Sequence, residues 1–351
     1  MIGLSSDFWV AISASLFAFA TALAFSRELS SLTHTLRILD HPSSRSLHIK
    51  SVPRTGGLAV LAGILIGVLV YWIAAKDFSR HAGLFLSMGL APLAVISLLD
   101  DYRDIAAQWR ILVHFWAAVS LLAAGFAPDS LNLPGLTSPL PSWFTILLDL
   151  LLTVWMINLY NFMDGMDGFA GGMAVIGFAT LAWLGRADTG FMGICLIVAA
   201  ASAGFLAHNF PPARIFLGDI GSTTLGFLVA GCSLWGSKTG LFPLWIALLV
   251  FSPFIVDATV TLLHRLLRGD KVWEAQRGHY YQLLVLLGWG HRRTVLAEYV
   301  LMLACASSAL LAIHLPPTIQ GVLALGWSFI YGLLIRGVRH LDRRHAMAWI
   351  S

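Results

Sequence analysis

Apolar residues in this chain run in long unbroken blocks. A block of about 18 to 20 such residues, wound as a helix, crosses a ~30 Å hydrocarbon layer. Blocks of this kind lie at about 8–25, 57–75, 82–99, 111–126, 143–160, 169–185, 191–208, 223–235, 241–263, 295–313 and 318–335. Two of them, 111–126 and 223–235, are short, so the expectation is ten or eleven crossings. The alternation that marks a β-barrel strand is absent. The predicted fold is therefore all-α: a polytopic integral membrane protein with about 11 transmembrane helices, and 1–351 forming a single domain. Charged residues make up only 11% of the chain, which leaves no second, soluble domain. No Lys or Arg occurs between Met1 and Asp7, and no small-residue cleavage site follows near Arg27, so the first block is read as a membrane helix and not as a cleaved leader.

Lys and Arg are retained on the cytoplasmic side of a membrane protein. With the N-terminus placed on the periplasmic side, the inner segments hold Arg27, Arg37, Arg45, Lys50, Arg54, Arg103, Arg110, Arg214, Arg265, Arg268, Lys271, Arg277, Arg292, Arg293, Arg336, Arg339, Arg343 and Arg344. The outer segments hold only Lys76, Arg80, Arg186 and Lys238. This bias sets the C-terminus in the cytoplasm. It also accounts for the net charge of +4 without a nucleic-acid partner. Cys195, Cys232 and Cys305 all fall inside apolar blocks with no CxxC spacing, which reads as buried packing.

The same orientation says where to look for chemistry. Outer connections are short or bland, including the Pro-rich stretch 127–142, whereas inner ones are rich in Asp, Asn, His, Arg and Gly. The first contains Asp40-His41-Pro42 and Pro53-Arg54-Thr55-Gly56-Gly57, a Gly turn whose N–H groups facing a helix start would suit an anion. The second, Asp100-Asp101-Tyr102-Arg103-Asp104, crowds carboxylates that repel one another unless a cation sits among them. In the third, Asn158, Asn161 and Asp164 recur every three residues before Asp167, and their oxygens are hard ligands suited to Mg2+. No Lys or Arg accompanies Asp164 and Asp167, so they lack a local partner. The fourth places Asp219 between Gly218 and Gly221, where backbone can approach a ligand closely. The longest, about 264–294, is basic and carries His279 and Gln282. Basic residues opposite acidic loops are what a phosphate substrate bridged by a metal needs. Asp257 lies within an apolar helix, where a carboxylate is a functional candidate by default; the alternative, so near the inner surface, is a pairing with Arg265 or Arg268. Asp149 and Glu298 have no assignment, and His114 and His314 read as packing or interfacial residues.

Taken in order, these residues resemble the polyprenyl-phosphate N-acetylhexosamine-1-phosphate transferases, glycosyltransferase family 4. The matching motifs are Asp40-x-Pro42-x-x-Arg45-x-x-His48, Pro53-Arg54-Thr55-Gly56-Gly57, Asp100-Asp101, Asn161-Phe162-x-Asp164-Gly165-x-Asp167-Gly168, Phe216-x-Gly218-Asp219-x-Gly221-Ser222, and Pro253-x-x-x-Asp257 with Arg265. The resemblance implies an eleven-helix fold in the bacterial inner membrane, with a Mg2+-dependent site (Mn2+ as substitute) facing the cytoplasm. Its partners would be a UDP-sugar and undecaprenyl phosphate, and a homodimer is compatible with it. Asp219 and Asn161 would be the metal ligands. Asp100 and Asp101 match the catalytic pair facing the lipid phosphate, and His279 joins them. Asp164 and Asp167 match residues around the nucleotide and its diphosphate. Arg45, His48, Asn158, Arg265 and Gln282 would complete the substrate contacts.

Two departures matter. Arg45-Ser46 stands where relatives often have Arg-Lys, and His279-Tyr280-Tyr281-Gln282 stands where many have His-x-His-His. The latter form is similar to the subgroup that starts O-antigen lipopolysaccharide, which often uses N-acetylfucosamine or N-acetylquinovosamine. The implied reaction joins undecaprenyl phosphate to a sugar 1-phosphate and releases UMP. A phosphate monoester has its second pKa near ~6, so the nucleophile is mostly ionised already and a general base adds little unless the site's own negative field raises that pKa. Asp100 or Asp101 would finish deprotonation or place the nucleophile. Charge neutralisation by Mg2+ and the basic loop would supply most of the rate. A two-step route through a phosphorylated aspartate stays open. The rival readings are a membrane prenyltransferase, whose paired DxxxD clusters are missing, and an ion-coupled transporter, which would carry its acids near the midplane.

Overall fold

A computed structural model describes residues 6–31, 38–42, 47, 50–75, 83–103, 105–270 and 278–348, with side chains to 343. The predicted substrate contacts Arg45 and His48, and the acid Asp104, lie outside the described residues. Each of the eleven apolar blocks coincides with a helix or a bent helix pair. These are α1 (Ser6–Leu29), α2 (Gly56–Ala74), α3 (Phe85–Arg103, opening with a π turn), α4 (Ala107–Ala123), α5 (Ser142–Phe162), α6 (Phe169–Leu184), α7 (Thr189–Asn209) and α8 (Gly218–Lys238). The bent pair α9 (Leu244–Val250) and α10 (Ser252–Leu267), the short α11 (Tyr280–Leu284), then α12 (Gly290–Ala312) and α13 (Pro317–Ala348) complete the chain. Seven helices among the described residues are long and apolar enough to cross a membrane, or eight if the pair bent by 82° counts as one. The all-α reading needs two small additions, both antiparallel strand pairs. In the larger, the Pro-rich stretch 127–142 folds as a hairpin of Ser130–Leu133 against Leu136–Pro139, turning at Gly135.

Between helices in lipid there is little hydrophobic force, so small residues that let backbones touch decide the packing. Ala11, Ala14, Ala18 and Ala22 form a fully buried stripe along α1, which packs against α2 and α7. Gly63 of α2 and Gly204 of α7 both lie against backbone of α1. At the centre is α8, buried from Ile220 to Gly236 and packed against α5, where Gly226 meets the Met156 carbonyl and Ile157. Side chains of α13 such as Val322, Leu325 and Phe329 are exposed, as on a helix that faces lipid tails.

One contact decides where the polar loops meet. Phe216 N–H donates to the Pro53 carbonyl, Gly56 N–H to Phe216, and Gly57 N–H to Leu217, at 2.7, 2.9 and 2.7 Å. The expectation that these glycine N–H groups face an anion is thus corrected: the backbone of 216–217 takes them. The requirement for glycine is steric, because a Cβ at Gly57 would overlap the backbone of Gly221. A two-residue pairing of Leu39–Asp40 with Val52–Pro53 then carries Asp40 to the same place.

Candidate active site

The end of α5, the starts of α8, α11 and α12 and the loops at 163–168 and 209–218, with Asp40, Leu47 and Arg54, enclose a cavity of about 260 Å³. Its charged lining is Asp40, Asp164, Asp167, Asp219, Arg54 and His291, with Asn161, Asn209 and Gln282 beside them. A second cavity of about 100 Å³ lies between α3, α4 and α5, and is lined by Asp100, Arg110, His114, Asn158, Ser97 and Thr223, with apolar Ala107, Ile111 and Phe162. Asn161 and Asp219 line both, so the two spaces meet at the predicted metal ligands.

The aspartate pair at the end of α3 divides its work. Asp101 is almost fully buried, and its two carboxylate oxygens accept from the N–H groups of Asp219 and Ile220, each at 3.3 Å. A carboxylate on the first N–H groups of a helix satisfies orphan donors and complements the helix dipole. Arg54 adds a charge contact at 3.4 Å and donates to the Asp101 carbonyl. Asp101 therefore fixes the start of α8 and lines neither cavity. Asp100 faces the smaller one: it accepts from Ile105 N–H and pairs with Arg110, both at 2.6 Å. Arg110 also lies 3.7 Å from Asp219, the most open carboxylate of this group. On sequence Arg110 entered only as a topology marker. Its pairing spans a helix break, for which no local spacing gives a signal.

The turn after α5 is held from a distance. Ser222 Oγ donates to Asn161 Oδ1 at 2.9 Å, fixing the amide beside Asp219. Asp167, which has no local partner, finds distant ones: His291 Nδ1 is 3.0 Å from one oxygen, and Ala213 N–H donates to the other at 3.0 Å. Asn209 clamps the same turn by accepting from Gly168 N–H and donating to the Ile215 carbonyl. Asn158 lies on the side of the smaller cavity, donating to His114 Nδ1 at 3.1 Å.

His279 and Arg265 are not among the lining residues of either cavity. Asp257 pairs with His279 Nδ1 at 3.2 Å and accepts from Tyr280 and Tyr281 N–H at 3.0 and 3.1 Å, so in place of Arg265 or Arg268 its partner is the start of α11. This brings Tyr281 and Gln282 onto Gly165 at the cavity wall, and Gln282 lines it.

Electrostatically the main cavity is overloaded with acid. Burial first, then the charges of Asp101 and Asp100, push the Asp219 carboxyl up to about 7. Burial, then Asp219, Asp101 and Asp40, hold Asp164 well above the usual carboxylate range, against a lowering hydrogen bond from Gly218 N–H. Such groups ionise together only when a cation joins them. No three His, Cys, Asp or Glu side chains among the described residues form a metal cage by themselves. A carboxylate and an amide oxygen at the junction are nevertheless a donor set that fits Mg2+, which takes few protein ligands and completes its shell with water and substrate phosphate.

Fold and site thus define a polytopic helical membrane protein with an acid-rich cavity at one end of its bundle, joined to a smaller one. The chain belongs to glycosyl transferase family 4, whose model matches residues 83–237. That stretch carries Asp100, Asp101, Asn161, Asp164, Asp167 and Asp219, and stops before His279 and His291. The chain is 31% identical over 277 residues to a probable undecaprenyl-phosphate N-acetylglucosaminyl 1-phosphate transferase of Bacillus subtilis, covering 78% of this chain and 76% of that one. Identity is 29% to a decaprenyl-phosphate N-acetylglucosaminephosphotransferase of Mycobacterium leprae, across 86% and 83% of the two chains. It is 28% to the undecaprenyl-phosphate alpha-N-acetylglucosaminyl 1-phosphate transferase of Escherichia coli K12, across 92% and 89%.

Proposed function

We propose that this protein transfers an N-acetylhexosamine 1-phosphate from a UDP-sugar to undecaprenyl phosphate at the cytoplasmic face of a bacterial inner membrane, releasing UMP and starting an envelope polysaccharide such as O-antigen. The observation that carries the reading is the junction of two cavities at Asn161 and Asp219. The larger is polar and large enough for part of a nucleotide sugar. The smaller, where Arg110 stands beside Ile111 and Phe162, suits a phosphate on a lipid tail.

In this reading an oxygen of the lipid phosphate bonds to the phosphorus that bears the sugar. The P–O bond to UMP breaks, and UMP leaves with the electron pair. Asp219 and Asn161 would hold Mg2+, whose chemistry there is to offset charge on the diphosphate. Arg110, anchored by Asp100, places positive charge beside the attacking phosphate. Asp101 acts through α8, as a positioning residue for Asp219. His279 acts through α11, and Asp164, Asp167 and Gln282 face the donor. With Asp100 and Asp101 both engaged by donors, placement of the nucleophile accounts for them better than deprotonation does.

The test is an assay of membranes carrying the protein with undecaprenyl phosphate, Mg2+ and labelled UDP-sugars. N-acetylglucosamine, N-acetylfucosamine and N-acetylquinovosamine donors come first. UMP release with label in the lipid phase is the expected result. No transfer from any UDP-N-acetylhexosamine would overturn the proposal, and label recovered as a prenylated product without phosphate would mark a prenyltransferase instead.

A further inference from the structure

The lining of the main cavity carries four carboxylates, Asp40, Asp164, Asp167 and Asp219, and one guanidinium, Arg54, which is already committed to Asp101. An anionic donor entering this space needs further positive charge. His291 is the other basic group on its wall. It lies in the first turn of α12, just after Gly288 and Gly290, which both take positive φ and re-aim the chain. Its neighbours Arg292 and Arg293 are exposed, whereas the His291 side chain is only 19% accessible. The 3.0 Å contact to Asp167 fixes the ring, and the Ala213 N–H on the second oxygen of Asp167 fixes the carboxylate in turn. The hydrogen bond to Asp167, against some loss from burial, and a further bond to the Leu47 carbonyl raise the His291 pKa above its ordinary 6.5. Nδ1 faces both the Asp167 N–H, at 3.4 Å, and the Asp167 carboxylate, at 3.0 Å; the shorter contact to an anion favours a protonated Nδ1, hence a charged ring on the cavity wall.

We propose that His291, oriented by Asp167, is a binding residue for the diphosphate of the nucleotide donor. This rests on the reading of the cavity as a UDP-sugar site. It assigns the anion contact to a residue on α12, whereas the His279 run that the sequence singles out serves to dock α11.

The test is binding of UDP and of uridine, each with Mg2+, to the detergent-solubilised full chain, comparing wild type with His291→Gln and His291→Lys. A hydrogen bond to a charged group is worth enough that His291→Gln should weaken UDP binding about ten-fold or more, while uridine changes by less than about two-fold. His291→Lys, which restores charge, should recover part of the loss. Retained uridine binding shows that the variant is folded. Unchanged UDP binding in His291→Gln overturns the inference, as does an equal loss for uridine, which would mark a purely structural residue. Failure of the wild type itself to bind UDP would instead overturn the reading of the cavity.

Discussion

Asp257 touches neither cavity around Asp219, yet its replacement by Asn should cost this protein most of its activity. The carboxylate takes two backbone N–H groups, from Tyr280 and Tyr281, along with Thr261 Oγ1 and the His279 ring. An amide keeps one acceptor oxygen and turns a donor toward the other N–H. One charge-assisted bond is lost and one amide N–H is left facing another donor, a loss of about 2–4 kcal/mol. That energy docks α11, whose Tyr281 and Gln282 form the wall over Gly165. A shift of this size changes the docked-to-undocked ratio by about 30- to 1000-fold, which is the ceiling on the loss. We expect kcat/KM for the nucleotide donor to fall at least about ten-fold in Asp257→Asn, with helix content by circular dichroism retained. A kcat/KM within about two-fold of wild type, at matched expression and Mg2+, would refute the view that Asp257 assembles the site through α11.

Asp219→Ala should abolish transfer. Asp188→Ala, which removes a cap accepting from Phe191 N–H at the other end of the bundle, should cost about 1 kcal/mol of stability and leave turnover intact in the same membrane assay. In a double-mutant cycle, Arg110→Met and Asp100→Asn should couple by about 1 kcal/mol in kcat/KM for the lipid phosphate, a modest figure because Arg110 is 37% accessible; additive effects would separate the two residues. Gly57→Ala should destabilise by about 1–3 kcal/mol or more, because the new Cβ meets backbone at Gly221, and thermal melting in detergent reads this directly. The Asp167–His291 pair, with the histidine pKa raised, stabilises fully below about pH 6.5 and loses that contribution as pH rises through the elevated value, so wild type should exceed His291→Gln in melting temperature more at pH ~6 than at pH ~9.

The helices were readable from the chain because a membrane crossing is a local and additive property. Eleven apolar blocks are enough to place α1 through α10 and α12 to within about five residues, and the start of α13 though not its end, which runs on to Ala348; the sidedness of Lys and Arg groups the polar loops. The polar residues of the site were readable for the same reason, since Asp100, Asn161, Asp164, Asp167 and Asp219 stand out against an apolar background. Their partners were not. Asp167 meets His291 across 124 residues, and Arg54 meets Asp101 across 47. Asn161 gains Ser222 only once α5 and α8 pack together, 61 residues apart in the chain. Asp257 takes the start of α11 instead of the basic residues nearest in sequence.

What the sequence determined by itself was which segments enter the membrane and which residue types gather at one end of them. What only the tertiary structure decided was which of those residues touch. That depends on helices approaching through small residues such as Gly57, Gly221 and Gly226, where a single methyl group would separate them. Burial of an apolar block needs no particular neighbour, so composition encodes it. A hydrogen bond or ion pair needs its partner within about 3 Å, and that distance is set by the packing of every helix between the two.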